Sequence, residues 1–160
     1  MSLLKNYLEL TKPKVVSMML ITAIVGMLLA TPNIPSFQIM IIALLGIGLC
    51  AASAATINQI IDRNIDAGMQ RTSGRPLPQG EVSLVNASLF AFFLMIMGTI
   101  ILIYFVNTLT ALLTICSLIG YAFIYTVFLK RATPQNIVIG GLAGACLLYT
   151  SDAADEHSCV

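Results

Sequence analysis

Charge is missing from long stretches of this chain, and that constrains the fold more than any other feature. No Asp, Glu, Lys or Arg occurs from Val15 to Ile61, from Val82 to Leu129, or from Ala132 to Ser151. A helix that crosses the hydrocarbon core needs about 20 mostly apolar residues, so these windows hold two, two and one spans. A soluble helical domain would return a charged face every few residues. Ordinary soluble domains are about 25% charged, whereas this chain is 9% charged and 58% hydrophobic. The expected fold class is all-α: a polytopic transmembrane helical bundle of about five spans, surrounded by membrane lipids.

The spans are expected over 15–30, 37–61, 83–105, 111–129 and from 137 onward. The middle of the second, "GIGLCAASAAT" (46–56), is almost all small residues. Small residues let helix backbones approach closely in lipid, which places this span inside the bundle. Gly140 and Gly144 offer a similar contact face on the fifth. The segment "LLKNYLELTKPK" (3–14) can form a short amphipathic interfacial helix ahead of Pro13.

The cations order these spans. Lys5, Lys12 and Lys14 precede the first, Arg63, Arg71 and Arg75 follow the second, and Lys130 and Arg131 follow the fourth. With alternating topology all eight fall on one side. Cytoplasmic loops carry the Lys/Arg excess, so the N-terminus, the 62–82 loop and the 130–136 loop are expected to face the cytoplasm. No transit peptide is visible at the N-terminus, which favours a bacterial inner membrane over an organelle.

Several function classes drop out. A net charge of +1 predicts no nucleic-acid partner. Cys50, Cys116, Cys146 and Cys159 have no metal-type spacing and read as small packing residues. His157 is the single histidine, so no His-based metal site or Ser/His/Asp triad can be built.

The polar exception is "INQIIDRNIDAGMQRTSGRPLPQG" (57–80). Asn58, Asp62 and Asp66 are spaced by four. If the second helix runs on to Asp66, they form one stripe about 12 Å long from inside the membrane to its cytoplasmic surface. Two carboxylates and an amide oxygen are hard ligands that suit Mg²⁺, which shares its shell with water and substrate phosphate. Arg71 and Arg75 are again four apart, and guanidinium groups pair with phosphate oxygens. Gly68 and Gly74 permit tight turns, and Pro76 and Pro78 stiffen the exit. An acidic stripe facing two arginines makes a diphosphate clamp at the membrane face. A topology-setting loop of mixed charge is the plainer alternative. An acidic ion path in a transporter or channel is another, although arginines beside its carboxylates would bring it nothing.

The same stretch resembles the first Asp-rich motif of the UbiA superfamily of intramembrane prenyltransferases, in its haem O synthase branch. That branch reads roughly N-x-x-x-D-x-x-I-D-x-x-M-x-R-T-x-x-R-P, met here by Asn58, Asp62, Ile65, Asp66, Met69, Arg71, Thr72, Arg75 and Pro76. Other branches usually open with Asn-Asp, where Gln59 stands here. "YLELTKPKVVSMMLITAIVGMLLA" (7–30) and "YTVFLKRATPQNIVIGGLAGA" (125–145) resemble further parts of the family. The resemblance implies a cytoplasm-side site in which Asn58, Asp62 and Asp66 hold Mg²⁺ on farnesyl diphosphate, while Arg71, Arg75 and Lys130 grip the diphosphate. It implies haem B as acceptor and haem O as product, with haem A synthase or terminal oxidase assembly as partners. An aromatic quinone precursor is the alternative acceptor. The family has about nine spans in two similar halves, with a second Asp-rich motif in the later one. Residues 1–145 are therefore expected to be an N-terminal half. Residues 146–160, rich in acids and unlike the family, are expected to be a non-native or out-of-frame tail. A fragment of that kind is expected to be inactive alone.

Overall fold

The computed structural model of the chain describes residues 3–29, 36–67 and 76–120. Five helices run in order: α1 (Leu3–Leu10), α2 (Pro13–Leu29), α3 (Phe37–Ala67), α4 (Leu84–Phe105) and α5 (Thr108–Ile119). The described residues contain no strand. α3 and α4 are long and apolar enough to cross a bilayer, and α2 and α5 are shorter apolar helices. The 17 residues described of α2 reach about 25 Å. The turn at 30–35, the later part of the expected fourth span, the fifth span with Gly140 and Gly144, and residues 146–160 lie outside the described residues.

The neighbours run antiparallel. Lys12 meets Asn58, and Leu20 lies against Gly48, so α2 descends along α3. Gly46 faces Leu102, and Gly98 faces Cys50, so α4 returns along it. At this second crossing the backbones touch. A Cβ added at Gly98 would lie 2.8 Å from the Gly46 carbonyl oxygen and 2.7 Å from Cys50 Sγ. Two turns further on, Ser53 Oγ donates to the Ala91 carbonyl at 2.7 Å. Small residues thus put α3 at the bundle centre, as its sequence implied, with Ala51 to Thr56 all buried. Cys50, Ala54, Leu102, Ala111 and Leu118 form the core that joins α3, α4 and α5.

The outer surface is apolar. Met18, Leu29, Phe37, Val85, Phe93 and Tyr104 are all exposed, and α2 buries none of its residues. A patch of that extent is a surface for lipid rather than water. Helix ends are capped by side chains. Ser83 Oγ accepts from the Asn86 amide at 3.2 Å, and Asn107 Oδ1 accepts from the Thr110 amide at 2.6 Å, each satisfying an otherwise orphaned donor.

At one end of the bundle α1 folds back on the others. Leu10 is fully buried and packs with Leu77, Val82 and Ala87. The Tyr7 and Phe90 rings meet edge to face at 4.9 Å. Asn6 is buried on the same side. The N-terminal lysines, the end of α3 and the start of α4 therefore share one end, as the distribution of cations predicted. The Val106–Asn107 turn at the other end is uncharged.

Candidate functional site

α3 does not stop where its apolar run stops. It continues through Asn58, Gln59 and Asp62 to Ala67. These polar residues are inside the protein, at 5%, 2% and 2% exposure respectively. Ile61 and Arg63, on either side of Asp62, are half-buried, and Asn64 is exposed. Asn58 and Asp62 thus lie on the face of α3 that turns away from lipid. Asp66 is in the same helix, one turn further along this stripe. Its side chain lies outside the described residues, as do Arg71, Arg75 and Lys130.

The sequence reading missed what faces this stripe. Lys12 Nζ donates to Asn58 Oδ1 at 2.7 Å. The two are 46 residues apart in the chain, and Lys12 was counted only as a topological cation. Lys5 and Lys14 are exposed, whereas Lys12 is half-buried. Its backbone is also unusual, with φ of +48°, a region that bulky L-residues avoid. The residue before a proline is normally extended.

Gln59 explains how α1 is held there. The last carbonyls of a helix have no partner within it. Gln59 Nε2 donates to the Glu9 and Leu10 carbonyls at 3.0 and 3.2 Å. Thr56 Oγ1 bonds its own helix at the Ala52 carbonyl, 2.9 Å, and makes a longer contact of 3.5 Å with the Leu10 carbonyl. Gln59 is thus a strut between α3 and the C-terminus of α1. The only sequence signal for it was its departure from the Asn-Asp opening of related motifs.

The donor set fits a hard divalent cation. Asn58 and Asp62 offer an amide and a carboxylate oxygen on one buried face, and the fold already sets a positive group against it. Gln59 Oε1 and Asn6 Oδ1 are buried acceptors with no hydrogen-bond partner among the described residues. No cluster of three Asp, Glu, His or Cys side chains occurs among the described residues. A shallow apolar groove between α3 and α4, lined by Ile57, Ile60, Ala91, Phe92 and Met95 with Ser53 and Ser88, contains none of the site residues. Cys50 is buried in packing and Cys116 is exposed on α5.

Comparison with known proteins gives a consistent match. The pattern of the UbiA prenyltransferase family covers residues 19–154. "Protoheme IX farnesyltransferase 2" of Pseudoalteromonas atlantica is 55% identical over 157 residues, 96% of this chain and 52% of that relative. "Protoheme IX farnesyltransferase 1" of Pseudomonas entomophila is 59% identical over 141 residues, 88% of this chain and 47% of the relative. The "Protoheme IX farnesyltransferase" of Idiomarina loihiensis is 57% identical over 141 residues, again 88% and 47%. The chain therefore spans about half the length of the curated relatives it matches. No solved structure matches it.

Proposed function

The chain belongs to the UbiA prenyltransferase family, and we propose that it forms the diphosphate-handling half of an enzyme that transfers a farnesyl group to protoheme IX. The observation that carries this reading is the buried Asn58–Asp62 face at the membrane-edge end of α3. Oxygen ligands in a lipid-embedded bundle suit one task above others, which is removing diphosphate from a lipid whose tail stays in the bilayer. The names of the relatives supply farnesyl and protoheme IX.

In this reading Asn58, Asp62 and Asp66 hold Mg²⁺, while Arg71, Arg75 and Lys130 bind the diphosphate. Bound there, Mg²⁺ supplies Lewis-acid neutralisation of the leaving diphosphate. The arginines stabilise the same charge by fixed hydrogen bonds. The allylic C–O bond breaks and diphosphate leaves with the electron pair. A vinyl group of protoheme IX attacks the allylic carbon. Water adds to the resulting cation and loses a proton, giving the hydroxyethylfarnesyl group of haem O. The apolar shell of α3 and α4 keeps other water away from the allylic cation. The site faces the cytoplasm across a bacterial inner membrane, supported by the clustering of Lys12, Lys14 and Arg63 at its end of the bundle. An ion path is disfavoured, because an ammonium group sits on Asn58. Residues 1–145 act as the N-terminal half.

The test is Mg²⁺-dependent transfer of radiolabelled farnesyl diphosphate to haem in membranes. The 160-residue chain is expected to be inactive, and a chimera that adds the C-terminal half of the Pseudoalteromonas atlantica relative is expected to be active. Asp62→Ala and Asp66→Ala in that chimera should each abolish transfer. Retained activity in both would overturn the metal role.

A further inference from the structure

Lys12 is placed with more care than a topology-setting lysine requires. Its amide donates to the Glu9 carbonyl at 3.3 Å, and its own carbonyl accepts from the Val15 and Val16 amides at 2.9 and 3.2 Å. It is therefore both the end of the α1 turn and the N-terminal cap of α2. Its φ of +48° belongs to a sparsely populated region that persists only where the surroundings hold it. Leu10, two residues earlier, is fully buried, and Gln59 ties the preceding carbonyls to α3. Among the contacts this fixing yields is the ammonium on Asn58 Oδ1.

We propose that Lys12 is a resident cation of the site: its ammonium occupies the Asn58 oxygen until a divalent ion displaces it, and the displaced ammonium then binds the diphosphate. The inference rests on the metal reading of the oxygen stripe given above. An ion ligated by Asn58 Oδ1 at about 2.1 Å, with the ammonium still bonded to the same oxygen, would put a dication and a monocation about 4 Å apart. At an effective dielectric of about 20 that repulsion exceeds any hydrogen bond to the amide. One of the two must leave. The lysine stem is flexible and carries three rotatable donors, so the ammonium can swing off Asn58 without moving the fixed backbone. The nearest new anion is the diphosphate that arrives with the metal. Until then the ammonium screens a buried carboxylate, Asp62, one turn along the helix.

The exchange predicts two effects of opposite sign. Lys12→Gly removes the ammonium and suits the left-handed backbone, so the joint between α1 and α2 keeps its shape. In the chimera introduced above, reconstituted in nanodiscs, Mn²⁺ alone can be followed by loss of its free electron paramagnetic resonance signal. Lys12→Gly should bind Mn²⁺ about tenfold more tightly, because one charge-assisted hydrogen bond no longer has to break. The same variant should bind inorganic pyrophosphate about tenfold more weakly in the presence of Mn²⁺. Lys12→Arg should restore pyrophosphate binding. Both affinities unchanged, or both shifted in the same direction as a merely loosened joint would shift them, overturns the exchange. Asp62→Asn reports on the underlying reading. Mn²⁺ binding that survives it overturns the metal site and the exchange with it, whereas its loss there, with no change in Lys12→Gly, overturns the exchange alone.

Discussion

Gly98→Ala is expected to destabilise the bundle by about 1–2 kcal/mol, and the reason lies in which atoms the new methyl meets. An added Cβ would sit 2.8 Å from the Gly46 carbonyl oxygen and 3.1 Å from the Cys50 amide nitrogen. Both are backbone atoms of α3, so no rotamer change relieves the contact. Ordinary contact begins near 3.4 Å, so the two helices must part by roughly 0.6 Å at this level. Overpacking of this kind costs about 1–3 kcal/mol, and the better helix propensity of alanine returns up to about 1 kcal/mol. Gly26→Ala is the control, since its Cβ would meet nothing within 4 Å. It should leave stability unchanged or raise it by up to about 1 kcal/mol. Gly48→Ala, which would meet only the Leu20 side chain at 3.4 Å, should lie between the two. The assay is unfolding in mixed micelles by titration with a denaturing detergent, followed by helix signal. If Gly98→Ala proves as stable as Gly26→Ala, the backbone contact between α3 and α4 is wrong, and so is the central position of α3 on which the site depends.

Three further changes probe the end of the bundle that holds the site. Gln59→Leu removes one donor from each of the Glu9 and Leu10 carbonyls, which keep the Lys12 amide and the longer Thr56 contact, at a cost of about 0.5–1.5 kcal/mol per bond; amide hydrogen exchange should quicken throughout Leu3–Leu10, and unchanged protection there would remove Gln59 from its strut role. Leu10→Ala empties a fully buried site and should cost about 2–5 kcal/mol, read as a lowered thermal midpoint in detergent. Ser53→Ala deletes the 2.7 Å bond to the Ala91 carbonyl; such bonds between membrane helices are worth about 0.6 kcal/mol on average, so a loss above about 2 kcal/mol would contradict this account.

The fold was legible from sequence wherever the bilayer dictated it. A span must be apolar for its whole length, so the windows free of charge marked α3 and α4 within a few residues of their ends. The overrun of α3 to Ala67 was legible for a different reason. Asn58, Asp62 and Asp66 align only if the helix continues, and a polar stripe that starts within an apolar run has nowhere to go but inward. The glycine contact was legible on one side only. Gly46 and Cys50 lie in the small-residue run 46–56, whereas their partner Gly98 carried no such signal, and Gly140 and Gly144 lie outside the described residues. Composition reports that a helix can approach closely, not which neighbour it approaches.

The joint between α1 and α2 was illegible for a deeper physical reason. Periodicity measures a segment against its solvent within a window of a few turns, but Gln59 reaches back 50 residues to Glu9 and Lys12 reaches 46 forward to Asn58. Every local rule also pointed elsewhere. Residues 3–14 have the amphipathic pattern of an interfacial helix, a lysine beside a span is ordinarily a topology signal, and the residue before a proline is ordinarily extended. The structure departs from the last of these at Lys12, whose φ is +48°, and gives the lysine a partner in α3. A local preference given up without compensation would simply be selected against, so the compensation must lie in what Lys12 touches. Among the groups it touches is the first oxygen of the stripe. Where local and tertiary preferences conflict in an otherwise consistent sequence, the conflict marks function more often than error. Lys12 thus points to the proposed site independently of the motif that contains Asn58.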